Sequence, residues 1–246
     1  MPPRPERRLP KRRPPPSARR RGPGRKERRP STGARPGPSP LSREATAEVK
    51  SVAGPKAARV VPLLERAVEA LARDDHHEAL RVAEEARRVA PRSYSVREVL
   101  GLALYGAGRF QDALRELQAF RRLSGRPDQN HLLADCHRAV GTPQKAIPLV
   151  QEALDSAIPE EARAEAAVVG AAALADLGRY EEAMALLRRF DRRGGGARPH
   201  DLRVWYVMAD ILEKAGRRSE AADRFKRILE HDPDAYDVAE RLSALS

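Results

Sequence analysis

Five short segments recur along this chain at intervals of one helical hairpin, and each closes on an alanine. Gly108-Arg109-Phe110-Gln111-Asp112-Ala113-Leu114 and Gly178-Arg179-Tyr180-Glu181-Glu182-Ala183-Met184 are near copies. Gly216-Arg217-Arg218-Ser219-Glu220-Ala221-Ala222 and Gly141-Thr142-Pro143-Gln144-Lys145-Ala146-Ile147 share their frame, and Asp74 to Leu80 is a degenerate version ending in Ala79-Leu80. The anchor alanines Ala79, Ala113, Ala146, Ala183 and Ala221 are spaced by 34, 33, 37 and 38 residues. A fixed period of this size is the mark of stacked supersecondary units, none of which can bury its apolar face alone.

Each segment has a physical reading as the turn between two helices. Glycine accepts the left-handed conformation that ends many helices. Acidic or polar residues then precede the anchor alanine, where they suit the positive end of a new helix. Alanine is required where two helices cross too closely for a larger side chain.

Around these anchors the sequence resembles the tetratricopeptide repeat family. The last unit carries Trp205, Met208, Ala209 and Leu212 on its first helix, Ala221 and Phe225 on its second, and Pro233 at its exit. Unit two offers Leu100-Gly101, Leu104, Ala113 and Leu117, and unit one offers Ala79, Ala86 and Pro91. The resemblance covers residues 60 to 234 and implies an all-α fold: an α-solenoid of about five helix-turn-helix repeats over residues 56–234. Asp234-Ala235-Tyr236-Asp237 reads as an N-cap with an acidic residue three positions on, opening a capping helix over 235–246. The Gly194-Gly195-Gly196 loop accounts for the long last spacing and would let unit five swing against unit four.

In such an array the family's first helices line a concave groove. Carried onto this sequence, the groove positions are Val61, Leu64, Val68 and Leu71 in unit one and Glu98, Leu102 and Tyr105 in unit two. Unit three supplies His131, Asp135 and Arg138, unit four Glu165, Val168 and Ala172, and unit five Arg203, Tyr206, Asp210 and Glu213. Leu64, Val68, Tyr105 and Tyr206 are the expected anchors for a partner segment, because apolar and aromatic groups dominate binding energy; the unit-one apolar residues could equally pack on residues 55–60 or on another copy of the chain. Family members that hold acidic C-termini use a Lys-x-x-x-Asn pair in the groove. Leu64 and Val68 stand at the corresponding places, so no carboxylate clamp of that kind is expected.

Charge divides the chain differently. Residues 1 to 40 hold fourteen Lys and Arg against Glu6 and Glu27, which equals the whole formal charge of +12, and they hold twelve of the 21 prolines and no aromatic residue. Such a composition cannot bury enough apolar surface to offset conformational entropy, so residues 1–55, ending at the breaker pair Gly54-Pro55, read as a disordered basic tail. Its clusters Arg12-Arg13, Arg19-Arg20-Arg21, Arg25-Lys26 and Arg28-Arg29 provide an alternative function, nonspecific binding of nucleic-acid phosphates with the repeats mediating assembly. No aromatic is at hand there to stack on bases. The longest uncharged stretch near the middle, 166–175, is too short and too weakly apolar to span a bilayer, so a cytoplasmic protein without membrane contact is the expectation. Self-association through the repeat ends is open to any such array.

The residues suggest no enzyme and no cofactor. Cys136 stands alone and reads as a small helix residue. His131 and Asp135 share a helix face, but His137 projects elsewhere, so no metal site is expected. His76-His77 and Glu160-Glu161 suit a turn and a helix start, and Asp232, Asp234 and Asp237 lack the glycine and distal glutamate of a calcium loop. The expected role is a non-enzymatic scaffold that binds a partner segment in the groove.

Overall fold

The structure, a computed structural model, describes residues 41–192, 194 and 196–245. Its helices are α1 (Arg43–Ala53), α2 (Ala57–Ala72), α3 (His76–Val89), α4 (Tyr94–Gly106), α5 (Phe110–Ser124), α6 (Asn130–Ala139), α7 (Ala146–Asp155), α8 (Glu160–Asp176), α9 (Tyr180–Arg188), α10 (Pro199–Lys214), α11 (Arg218–His231) and α12 (Val238–Leu245). No strand occurs among the described residues. The pairs α2/α3, α4/α5, α6/α7, α8/α9 and α10/α11 are the five hairpins, and each second helix packs on the first helix of the next pair.

One turn geometry is repeated five times. The backbone N–H groups of Gly108, Gly141, Gly178 and Gly216 bond to the carbonyls three residues back, and those of Arg109, Thr142, Arg179 and Arg217 to the carbonyls five residues back. This double closure satisfies the last carbonyls of each first helix. It requires a positive φ, which these glycines adopt at 73° to 79°. Unit one forms the same pair of bonds with Asp74 at φ 58° in place of glycine, a conformation aspartate tolerates better than most residues.

The residue after the glycine has a second task in three units. Arg109 donates to Asp112 from Nε at 2.9 Å, Arg179 to Glu182 at 2.7 Å and Arg217 to Glu220 at 2.6 Å. Each carboxylate lies in the first turn of a second helix, where the helix dipole also favours it. The anchor alanine follows directly, and all five anchors are fully buried. Contacts of the first helices are also tight: a Cβ on Gly101 would lie 2.6 Å from Leu117 of α5, and one on Gly170 would lie 2.6 Å from Val150 of α7, in the preceding unit.

Polar staples reinforce the stack. Glu116 on α5 accepts from Arg97 on α4 at 2.6 Å and pairs with Arg87 on α3 at 3.1 Å, which ties three helices across a repeat boundary. Asp191, just after α9, accepts from Trp205 Nε1 at 3.0 Å and from Arg224 and Arg227 at 2.8 and 3.0 Å. Arg227 also lies 3.8 Å over the Trp205 ring. Both helices of unit five are thereby held to the end of unit four, so the glycine loop expected to act as a hinge is bracketed by a buried ionic clamp.

Two sequence expectations need correction. The tail expected through residue 55 ends earlier, because Arg43–Ala53 is helical, with Val49 fully buried in the common core. Ser42 caps this helix by accepting from Ala45 N at 3.0 Å, and Gly54 at φ 54° ends it. The Gly54-Pro55 breaker thus separates two helices. The capping helix starts at Val238, not near Asp234, because Tyr236 takes φ 51° and its ring packs 4.9 Å from that of Tyr206.

The anchor crossing is directly testable. Ala113→Leu should overpack the α4/α5 contact and lower stability by about 1–3 kcal/mol in urea unfolding. An unchanged midpoint would remove Ala113 from that contact.

Candidate functional site on the face of the first helices

The first helices α2, α4, α6, α8 and α10 present one continuous face, and its unit-one end is already covered. Helix α1 lies against both α2 and α4. Glu48 of α1 accepts from Ser93 Oγ at 2.6 Å and from the backbone N–H of Tyr94 at 3.0 Å, which adds an external cap to the one Ser93 itself gives α4 by accepting from Val96 N at 3.3 Å. Glu44 of α1 accepts from Arg126 at 2.9 Å, in the connection between α5 and α6.

This cover changes the expected groove. Leu64 is fully buried and belongs to the core, so it cannot anchor a partner. Val68 and Leu71 are half-buried and pack on the same core. Val168 is also buried, on the all-round apolar helix α8, and contributes packing. Sequence reasoning missed the occlusion because α1 falls in the stretch read as tail. The signal was Ser42 followed by a run of alanine and valine with helical spacing.

From unit two onward the face is polar and linked from helix to helix. Glu98 accepts from Gln129 Nε2 at 2.8 Å, with half-buried Leu102 one turn further along α4. Tyr105 donates to Asp135 at 2.6 Å, Asp135 accepts from Arg138 at 2.8 Å, and Arg138 donates to Asp176 at 2.8 Å. This chain of contacts crosses α4, α6 and α8. Burial pushes the His131 imidazole pKa down, with the Arg203 charge acting the same way against a hydrogen bond to the Asp128 backbone and the charge of Asp135. Arg203 on α10 pairs with Glu165 on α8 at 3.0 Å. Burial pushes the carboxyls of Glu98 and Glu165 up.

The unit-five end is closed by the capping helix. Tyr206 donates to Asp237 at 2.8 Å and accepts from Arg241 at 3.1 Å, and Arg241 also donates to Asp210 at 3.0 Å and to Glu213. Burial, with the Asp237 bond, pushes the Tyr206 phenol up to about 12. Tyr206 is therefore a locked element of the cap contact, with only its flank on the face. Arg241, Asp237 and Asp176 were missed by sequence reasoning, since the first two lie outside the repeats and the third at a helix end.

The structure joins Glu98, Tyr105, His131, Asp135, Arg138, Arg203, Tyr206 and Asp210 along one face and removes Leu64 from it. The tail cations Arg12, Arg13, Arg19, Arg20, Arg21, Arg25, Lys26, Arg28 and Arg29 lie outside the described residues. Among the described residues no cluster of three or more His, Cys, Asp or Glu could hold a metal ion, and no helix is long and apolar enough to cross a membrane. His137 pairs with Thr142 Oγ1 at 2.9 Å and braces the turn of unit three.

Comparison with known proteins agrees with this geometry. Two family models, described as tetratrico peptide repeat and tetratricopeptide repeat, match residues 132–234 and 64–127. The chain belongs to the tetratricopeptide repeat family. Among solved structures it is similar to TTC0263, a thermophilic repeat protein of Thermus thermophilus, with a TM-score of 0.59 and 17% identity over 76% of this chain and 98% of that one. It is similar also to the repeat protein YrrB, with a TM-score of 0.55 and 17% identity over 81% of this chain and 99% of that one. At these identities the likeness is one of fold. No curated protein matches the sequence. Tetratricopeptide repeat proteins generally mediate protein–protein interactions.

Two expectations follow from the site. Glu48→Ala removes the external cap of α4 and should cost about 1–2 kcal/mol, with faster amide hydrogen exchange in α1 and the first turn of α4. Equal exchange in both would show that α1 does not depend on this contact. Cys136 is buried, and burial pushes its thiol up to about 12. The folded chain at pH 8 should therefore resist iodoacetamide and react only when unfolded, as read by mass spectrometry.

Proposed function

We propose that this protein is a non-enzymatic interaction scaffold that holds a segment of a partner protein against the face of α4, α6, α8 and α10. The observation that carries this reading is the line of half-buried polar side chains from Glu98 to Asp210, joined helix to helix. Side chains already held in place lose little conformational entropy when a ligand arrives. Peptide binding on a fold of this kind has a counterpart in YrrB, whose structure is described as having an unusual peptide-binding site.

Electrostatics favours a basic segment. Arg138 serves both Asp135 and Asp176, so these two carboxylates share a single cation, whereas Asp210 and Glu213 share Arg241 and Asp210 also pairs with Lys214 at 2.8 Å. A cationic group on a partner would complete the Asp135–Asp176 pair, whereas an acidic segment would meet like charge there. The burial that raises the carboxyls of Glu98 and Glu165 is relieved when a cation approaches.

The test is affinity purification of the full chain after nuclease treatment, compared with the variant Asp135→Asn/Glu165→Gln/Asp210→Asn. Circular dichroism would confirm that the variant is folded. Co-purifying proteins should fall about tenfold for the inner-face variant and remain for Glu84→Gln/Glu85→Gln on the second helix of unit one. An identical set of proteins from both variants would overturn the reading.

A further inference from the structure

Helix α1 belongs to none of the five hairpins, yet it is seated on them. It lies against α2 and α4, and both of its acids are met by groups that the repeats supply. Glu48 accepts from Ser93 Oγ at 2.6 Å, from the N–H of Tyr94 at 3.0 Å and from the N–H of Ser95 at 3.4 Å. Glu44, one turn earlier, accepts from Arg126 at 2.9 Å, a side chain that also serves Asp128. Val49, next to Glu48, is fully buried.

We propose that the seat of α1 is a binding site for an amphipathic helix that carries two acids one turn apart beside an apolar residue, that α1 is its resident occupant, and that a partner helix of this pattern replaces α1. This seat lies at the start of α4 and the connection between α5 and α6, and does not depend on the groove reading above. Three observations carry it.

The first is how lightly α1 is held. Of its eleven residues only Val49 is buried, against six of sixteen in α2. Segments that bury little apolar surface open at a free energy below that of global unfolding. Gly54 ends α1 at φ 54° with open space around its Cβ position, and the single turn Gly54–Lys56 that follows has no buried residue. A swing of α1 about this turn therefore leaves α2 intact.

The second is that the seat is larger than its occupant. An open cleft of about 540 Å³ remains between α1 and the repeats, bounded by Val52 of α1 and by Arg92, Tyr94 and Leu123. Val52 and Leu123 are 47% and 49% exposed, so this apolar surface is not covered by α1. Ser95 is 1% exposed, and its hydroxyl has no hydrogen-bond partner among the described residues. A helix with a bulkier apolar side chain at the place of Val52 would fill what α1 leaves open.

The third is charge complementarity. The donors of the seat are the N–H groups at the start of α4, a serine hydroxyl and a guanidinium, all of which favour carboxylates. A helix with lysine or arginine at the place of Glu48 would set its charge against those N–H groups. An apolar stripe laid into a groove with acids along its edge is an established way for a helix to dock.

The probe is a fluorescein-labelled synthetic peptide with the sequence of residues 41–56, read by anisotropy against the full chain and against its Glu48→Ala/Val49→Ala variant. Circular dichroism checks that the variant is folded, and hydrogen exchange that its α1 is released. Should the double change unfold the chain, Glu48→Ala alone gives the same comparison. The variant should bind the peptide roughly tenfold or more tightly than the wild type, because the tethered competitor has been weakened. Adding Ser93→Ala/Arg126→Gln should abolish that gain, adding Asp135→Asn/Glu165→Gln/Asp210→Asn should leave it, and a Glu48→Lys peptide should not bind.

Equal binding by wild type and variant would overturn occupancy by α1, and binding by neither would overturn the seat. An α1 still protected from exchange in the variant would overturn its release. Loss of the gain on changing Asp135, Glu165 and Asp210 would place the peptide on the inner face instead and overturn the seat. Light scattering separates the remaining occupant: a wild-type dimer that the peptide converts to monomer would put a second copy's α1 in the seat and overturn occupancy in cis.

Discussion

Everything in this fold depends on the close crossing of two helices at each anchor alanine. A left-handed turn residue brings the second helix back immediately, and the alanine lets it lie against the first with no gap. First helices also give up side chains: Gly101 lies tight against Leu117 within unit two, and Gly170 against Val150 of the preceding unit. The arginine after the turn then fixes the start of the second helix through a carboxylate three residues on. Because each hairpin has the same turn, each stacks on the next with the same apolar face, and a core runs continuously from Val49 to Val238.

A stack has two ends, and here both are closed by helices that also reach onto the inner face. At the start, α1 adds Glu48 to the N-terminal end of α4. At the finish, α12 brings Arg241 to Tyr206, and just before it Asp237 accepts from the phenol while Tyr236 meets the same ring edge-on. The open part of the face is consequently the middle, from Glu98 to Asp210, and it is polar. Asp135 and Asp176 share Arg138 there, and Asp210 lies between Arg241 and Lys214.

The repeats were legible in the sequence because their determinants are local. A glycine in a left-handed turn, an acid in a first helical turn and an alanine at a crossing each leave a recognisable residue at a fixed offset. Tyr105, Asp135, Arg138 and Arg203 come together for the same reason: the helical period decides which side chains point the same way. The terminal helices were harder to read. Arg43–Ala53 is short and follows a strongly basic segment, so composition hid it. The start of α12 was displaced by Tyr236, whose left-handed backbone is stabilised by ring contacts from another helix and leaves no local signature.

The sequence by itself determined the number of hairpins, their turns and the helical face each groove residue occupies, since backbone conformation and periodicity act over a few residues. Only the tertiary structure decided that Leu64 is core, that Tyr206 is tied to the cap, and that Asp135 and Asp176 share one arginine between α6 and α8. Those outcomes depend on which distant segment comes to lie against a given face, and burial and ion pairing over tens of residues are set by packing.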